Sequence, residues 1–411
     1  MLARPFAALR PLPETAAAVV APPYDVVDAD EARALAAGRP SSFLHVSRPE
    51  IDLPPGTDPY SDAVYARGAG NLRRLIGDGV LERESTPCYY VYRMTAASHC
   101  QTGIAFAASV RAYEAGRIHR HELTRPDKEN DRVRNIEALN AQTGPVLLVY
   151  KAAAQIDGLV AEAAQSPPLL EAEGQHGVLH TIWRIDDAAR IDALTEALDA
   201  RRDLYIADGH HRSAAAARVA AARRGPGARP DASHELFLGV AFPDDQMQIH
   251  DYSRVVADLN GLGKGDFLAA VARVFGVEPA AGPVRPEAAR SFGMYLDGRW
   301  YRLSAPAAAP DEDPVARLDV SVLQNGLIGP ILGIGDPRAD ERIGFVGGVR
   351  GLGELERRVD SGRAAVAFAL HPTGMRELMA VADASLLMPP KSTWFEPKLA
   401  DGLISHVLDE A

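Results

Sequence analysis

Cysteine is nearly absent: the 411 residues contain two, Cys88 and Cys100. They form no CxxC pair and cannot build a disulfide framework, so a reducing compartment is expected. Long apolar runs are missing too. No stretch approaches the roughly 18 apolar residues of a membrane span. Residues 1–21 carry prolines and arginines where a secretory leader would have a continuous apolar core. A membrane partner is therefore not expected, and the cytoplasm follows by elimination. Basic charge is also short, with 44 Lys and Arg against 55 Asp and Glu and a net charge of -11. Duplex binders gain affinity by neutralising phosphates with a basic surface, so this balance argues against a nucleic-acid partner. Aromatics make up only 6%, which leaves much of the apolar work to alanine and predicts helices with thin contacts.

Familiar signatures are absent as well. There is no GxxxxGK[ST] phosphate loop, because Gly261-Leu262-Gly263-Lys264-Gly265 lacks the frame. The glycines from 347 to 353 have the wrong spacing for a dinucleotide fingerprint. No GxSxG elbow occurs.

What is present is a globular composition, 47% hydrophobic and 24% charged, in a chain long enough for two domains. The boundary is placed at 259/260, giving regions 1–259 and 260–411. Strands are predicted over 5–10, 89–94, 104–110, 146–150, 203–207, 236–242 and 364–370. Helices are predicted over 28–37, 60–76, 213–224, 266–275, 318–328, 352–359 and 375–382. Asp28 and Glu31 form a capping-box pattern, and Gly144-Pro145 is read as the stop of a helix carrying Val133, Ile136 and Leu139. Asp297-Gly298 is a hairpin signal, and residues 305–314 read as a loop. The class is mixed α/β, or α+β.

The sharpest local feature is Asp208-Gly209-His210-His211-Arg212, between a predicted strand and an Ala-rich helix. Glycine permits a sharp turn and a close backbone approach. The helix start offers free amides and a positive dipole end, a ready anion site. Arg212 opposes that dipole, and a bound phosphate would remove the conflict. The competing reading is a helix capped by Asp208 with solvated histidines.

A second constellation runs from His119 to Arg132. Arg125, Lys128 and Arg132 are candidates to clamp phosphate oxygens, and Asp131 to hold Mg²⁺ or to orient an arginine. The alternative is a solvated charged loop. His119-Arg120-His121-Glu122 evokes a metal site, but HxH without an identifiable third ligand is read as surface or hydrogen-bonding histidines. His210 and His211 are adjacent and point apart.

The third is Pro22-Pro23-Tyr24-Asp25, where the prolines present Tyr24 and Asp25. Asp25 is a candidate general base or Mg²⁺ ligand, against a reading as a proline-fixed turn. The fourth, residues 388–398, is MPPKSTWFEPK. Lys391 with Ser392 and Thr393 is a phosphate-friendly group, against a proline-bounded docked loop.

PPYDVV at 22–27, RPDKENDR at 125–132, ADGHHR at 207–212 and MPPKSTWFEPK at 388–398, in this order, resemble the domain-of-unknown-function family 1015. More distantly, the DGHHR turn resembles the ParB/sulfiredoxin superfamily and its free-serine kinases. That resemblance implies a ParB/sulfiredoxin-like core with an N-terminal elaboration, followed by a C-terminal α+β region. It implies that Asp208, Gly209, His210, His211 and Arg212 line a nucleotide phosphate site for ADP or ATP with Mg²⁺. It also implies an acidic base near the N-terminus, for which Asp25 is the positional candidate in a different local motif. The expected function is a small-molecule phosphotransferase acting on a hydroxyl substrate such as serine, or in reverse on phosphoserine. A nucleotide-binding regulator without turnover and a ParB-like nucleic-acid protein are the alternatives. Oligomeric state stays open, a homodimer included.

Overall fold

The computed structural model describes residues 1–97, 99–227, 229–309 and 312–409. Two compact units divide it: residues 1–247 with 397–411, and residues 248–396. This division differs from the expected boundary at 259/260. The strand Tyr252–Val256 already belongs to the second unit, and the chain returns to the first at its end. The return has a structural cause. Ser405–Val407 pairs with both Ala8–Pro11 and Ala141–Gln142, so the C-terminal segment completes a sheet begun by the N-terminus.

The first unit is built on a nine-stranded mixed sheet. Its order is Ile118–His119, Leu204–Asp208, Val146–Tyr150, Leu236–Pro243, His99–Ser109, Tyr89–Ala96, Leu179–Ile185 and Leu170–Glu173, with Ala3–Arg4 also paired to His99–Ser109. Most neighbours are antiparallel, but Leu236–Pro243 runs parallel to Val146–Tyr150. These two strands are buried at every position, which is why they read as continuous apolar runs. The helix His210–Arg223 packs Ala215, Ala216, Val219 and Ala220 into the core against this sheet. A second apolar cluster gathers Leu9, Val19, Phe43, Leu72 and Leu75 around the N-terminal helices.

Several local predictions hold in detail. Asp28 accepts from the amides of Asp30 and Glu31 while Glu31 reaches back to the Asp28 amide, starting the helix Ala29–Ala36. Others shift. The helix with Val133, Ile136 and Leu139 is Pro126–Leu139, and Asn140 ends it in the left-handed conformation, before Gly144-Pro145 is reached. The short helix Val110–Glu114 follows directly on the strand His99–Ser109.

The second unit holds a six-stranded antiparallel sheet in the order Gly276–Ala280, Arg299–Ser304, Ser291–Leu296, Val366–Leu370, Tyr252–Val256, Ile343–Gly347. Asp297 and Gly298 both have positive φ, as the two-residue hairpin requires. The expected helix over 318–328 begins at Asp319 but widens into a π-helical turn at Gln324–Ile328. The expected loop over 305–314 is irregular at 305–309 and ends where Asp313 caps Pro314–Arg317; Pro310 and Asp311 lie outside the described residues. Among the described residues no helix is long and apolar enough to cross a membrane.

Candidate active site

The strand Leu204–Asp208 delivers the chain to Gly209, whose φ of 101° only glycine adopts freely. The helix then starts at His210, so the two histidines and Arg212 occupy its first turn. Gly209, not Asp208, stands at the N-cap. A side chain there would also collide with Arg212, whose Nε lies 3.1 Å from a Cβ placed at Gly209. The guanidinium folds back over the glycine. It donates to Asp208 Oδ2 at 3.1 Å and to the carbonyl of Pro145.

In this arrangement the Arg212 charge at the helix start is already matched within the chain. Asp208 already supplies the negative charge, four residues earlier on the same turn. Lys398 adds a second cation 3.4 Å from Asp208 Oδ2. Burial disfavours charge on Asp208, yet Lys398 and Arg212 outweigh it and hold the carboxyl well below the usual range. Burial likewise opposes Arg212, and Asp208 more than compensates.

His210 is not solvated, whereas His211 is half-buried. His210 is buried edge-on against His121, with ring centroids 4.5 Å apart, and its Nε2 accepts from the His121 amide at 3.4 Å. Burial pushes His121 down to about 4 and lowers His210 as well, so both are neutral at pH 7. His211 points elsewhere: its Nε2 accepts from the Arg125 amide at 3.0 Å, tying the start of this helix to the start of Pro126–Leu139. His119 sits 3.0 Å from Asp203 and stacks on Tyr205.

The RPDKENDR run separates into different roles. Arg125 is exposed and bound bidentately by Asp127. Lys128 donates to the Tyr60 hydroxyl at 3.1 Å and lies over that ring. Arg132 faces inward. Asp131 receives both its Nε, at 2.9 Å, and its NH2, at 2.6 Å, together with the Tyr65 hydroxyl at 2.7 Å. Of the two roles open to Asp131, the geometry is that of orienting an arginine. Arg132 then lies flat over Tyr24, 3.7 Å from the ring centre. Among the described residues no group of three or more His, Cys, Asp or Glu is placed to hold a metal ion.

Arg132, Tyr24 and Arg212 meet at a small cavity that Asn135, Gln142, Thr143 and Asp401 also line. Its space for water-sized occupants is about 30 Å³, enough for about two waters at roughly 10–15 Å³ each. Gly144 keeps it open: a Cβ there would lie 3.2 Å from Arg212 Cδ and 3.5 Å from Asp401 Oδ1. Asp401 is the residue that the sequence reading missed. It is 2% exposed, and its Oδ1 has no hydrogen-bond partner. Burial pushes its carboxyl up to about 7 against the pull of Arg212, and the Tyr24 amide hydrogen-bonds to it. It is held there by a backbone bridge to Ala21, directly before the two prolines. The available signal was an isolated acid-glycine pair inside the apolar run Leu399 to Ile404.

Asp25 is exposed and stands within electrostatic reach of Arg212, Arg132 and His211. The first unit thus assembles Asp25, Asp208, Gly209, His210, His211, Arg212 and Arg132. Arg125 and Lys128 are committed outside that group. Lys391 belongs to the second unit, where it lies over Tyr252.

The model of the family described as "Protein of unknown function (DUF1015)" matches residues 3–321. No curated protein matches the chain. Solved structures similar to it include a free serine kinase in complex with AMP, at 12% identity and TM-score 0.35, over 71% of this chain and 86% of that one. They include C-terminally truncated SbnI from Staphylococcus aureus, at 12% identity and TM-score 0.37, over 72% and 85%. A conserved hypothetical protein from Pyrococcus furiosus matches at 12% identity and TM-score 0.34, over 75% and 97%.

Proposed function

We propose that this chain, which belongs to the DUF1015 family, is a small-molecule phosphotransferase whose first unit receives the phosphate of a nucleotide at the Gly209 turn. The acceptor is a small hydroxyl compound such as serine. One observation carries the reading: two inward-facing arginines and an unpartnered carboxyl oxygen converge on one cavity, with an exposed carboxylate within electrostatic reach.

The parts divide the work. Asp25 takes the proton of the acceptor hydroxyl as its oxygen bonds to phosphorus. The bond from phosphorus to the leaving nucleotide oxygen breaks, and the nucleotide departs one phosphate shorter. The NH1 group of Arg132 makes no protein hydrogen bond among the described residues, because Asp131 takes Nε and NH2. It is the donor free to meet charge on the transferring group. Arg212 and the turn amides position the phosphates. Asp401 and Tyr24 close the floor behind them. No step is assigned to Mg²⁺.

Binding without turnover is the second reading. It is favoured by the saturation of Arg212, which Asp208 and the Pro145 carbonyl already hold.

The test is a thermal-shift and product screen with ADP, ATP and CTP, with and without serine or phosphoserine. Stabilisation with nucleotide-dependent phosphoserine formation supports the kinase. Asp25→Ala should then lose about 10²–10⁴-fold in kcat while retaining nucleotide stabilisation. Full turnover by Asp25→Ala removes the base assignment. Stabilisation with no product leaves the binding reading, and absence of any shift ends both.

A further inference from the structure

Three arginines are buried among the described residues: Arg10, Arg212 and Arg254. Arg10 is held by Glu82 and Glu84, and Arg212 by Asp208. Arg254, in the second unit, is 5% exposed and has no carboxylate partner among the described residues. It lies on the strand Tyr252–Val256, paired on both sides, with its guanidinium carbon 4.7 Å from the centre of the Phe345 ring. NH1 donates to the Tyr252 carbonyl at 2.6 Å and NH2 to the Lys391 carbonyl at 3.0 Å. A guanidinium has five N–H donors, so most of its capacity is unused. Burial without a counter-charge drags its pKa down to about 9. A buried cation in this state is incomplete without an anion.

A second cation stands on the same side of the strand. Tyr252 is two residues from Arg254 and therefore shares its face. The Lys391 ammonium lies 5.5 Å from the centre of the Tyr252 ring. Lys391 adopts φ of 57°, a left-handed conformation that is unfavourable for lysine. The loop is pinned in place: Ser392 Oγ donates to the Pro389 carbonyl at 2.6 Å, and Thr373 Oγ1 donates to the Ser392 carbonyl at 3.0 Å. The nearby acids are committed elsewhere. Asp251 accepts from the Ser253 hydroxyl, and Glu396 from the Trp394 indole.

We propose that Arg254 and Lys391 form a binding site for a small oxyanion, the carboxylate or phosphate group of a metabolite, within the second unit. Arg254 supplies planar N–H donors, and Lys391 a mobile point charge at the rim. The site accounts for residues 388–396 of the motif, which the chemistry of the first unit does not use; Lys398 serves the first unit beside Asp208. It is independent of the phosphotransferase reading.

Trp394 provides the readout, because its ring sits 5.1 Å from that of Tyr252. The intact chain is titrated in phosphate-free buffer with inorganic phosphate, and separately with malonate, while tryptophan fluorescence is followed. A saturable change with half-saturation below about 10 mM is expected for at least one of them, and the stronger identifies the group. The change should vanish in Arg254→Met and in Trp394→Phe, and weaken at least about tenfold in Lys391→Met. It should persist in Arg132→Met, which separates it from the site of the first unit. Should Arg254→Met fail to fold, Lys391→Met decides alone, since that side chain is exposed. Absence of saturation with both anions overturns the proposal. So does a signal that survives unchanged in Lys391→Met, or that persists in Trp394→Phe.

Discussion

Arg212 and Arg254 are both buried guanidiniums, and their surroundings treat them in opposite ways. Arg212 has a carboxylate on its own turn and a backbone carbonyl beneath it. Arg254 has two carbonyls, an aromatic face and, among the described residues, no carboxylate. The pKa of the first is raised by its partner, whereas that of the second is lowered by burial. The contrast separates a cation that completes a fold from one that awaits a ligand. Burial alone does not distinguish them; the source of the compensating charge does.

The sharpest way to break this comparison is Arg212→Met. It strands a carboxylate with Lys398 as its remaining cation, and should cost about 3–5 kcal/mol of unfolding free energy in urea. A loss below about 1 kcal/mol would mean that the pair does not hold the turn.

Next comes pH. His121 and His180 are each buried and pushed down from 6.5 to about 4. The unfolded chain therefore takes up protons first, and stability falls as pH drops from 6.5 towards 4. Each group contributes about 1.4 kcal/mol per pH unit in that window. His210 acts in the same direction. Asp401 opposes them. Its carboxyl is raised from 3.8 to about 7, so its contribution is complete below 3.8 and is lost as pH rises to 7. In Asp401→Asn the stability should climb more steeply from pH 4 to 7 than in the parent. Parallel curves would refute the buried-acid assignment.

Gly209→Ala tests the fold-back of Arg212 over the turn. Alanine at φ of 101° is strained, and its Cβ meets the guanidinium. A cost of about 1–3 kcal/mol is expected by chemical denaturation.

The smallest effect sharpens the contrast most. Without added anion, Arg254→Met should lie within about 1 kcal/mol of the parent, because it deletes a charge that nothing neutralises. With saturating anion the parent alone should gain, by mass action.

Much of this was legible in the sequence where local rules dominate. The Asp28–Glu31 capping box, the Asp297-Gly298 hairpin and the strand Val146–Tyr150 each follow from a few adjacent residues. The Asp208–Arg212 turn was also visible as a strand-to-helix junction, with the histidines pointing apart. Two things were not. Asp131 could orient an arginine or hold a metal, and the choice depends on Tyr65, 66 positions away. Asp401 enters the cavity only because the C-terminal segment docks beside Ala21. Pairing over such separations leaves no periodic trace, and so the boundary at 259/260 missed the return of residues 397–411 to the first unit.

That return has a consequence for biosynthesis. Lys398 and Asp401 arrive after the whole second unit has been made, although they sit beside residues from the first quarter of the chain and from its middle. The second unit begins and ends at neighbouring points, since the Glu396 amide donates to the Gln248 carbonyl at 3.4 Å. On a ribosome that unit can close on itself while the pocket around Arg212 still lacks part of its lining. The site is therefore completed only after the second unit has been made, when residues 398–401 arrive, and a chain stalled before them would carry the DGHHR turn without the full lining of its pocket.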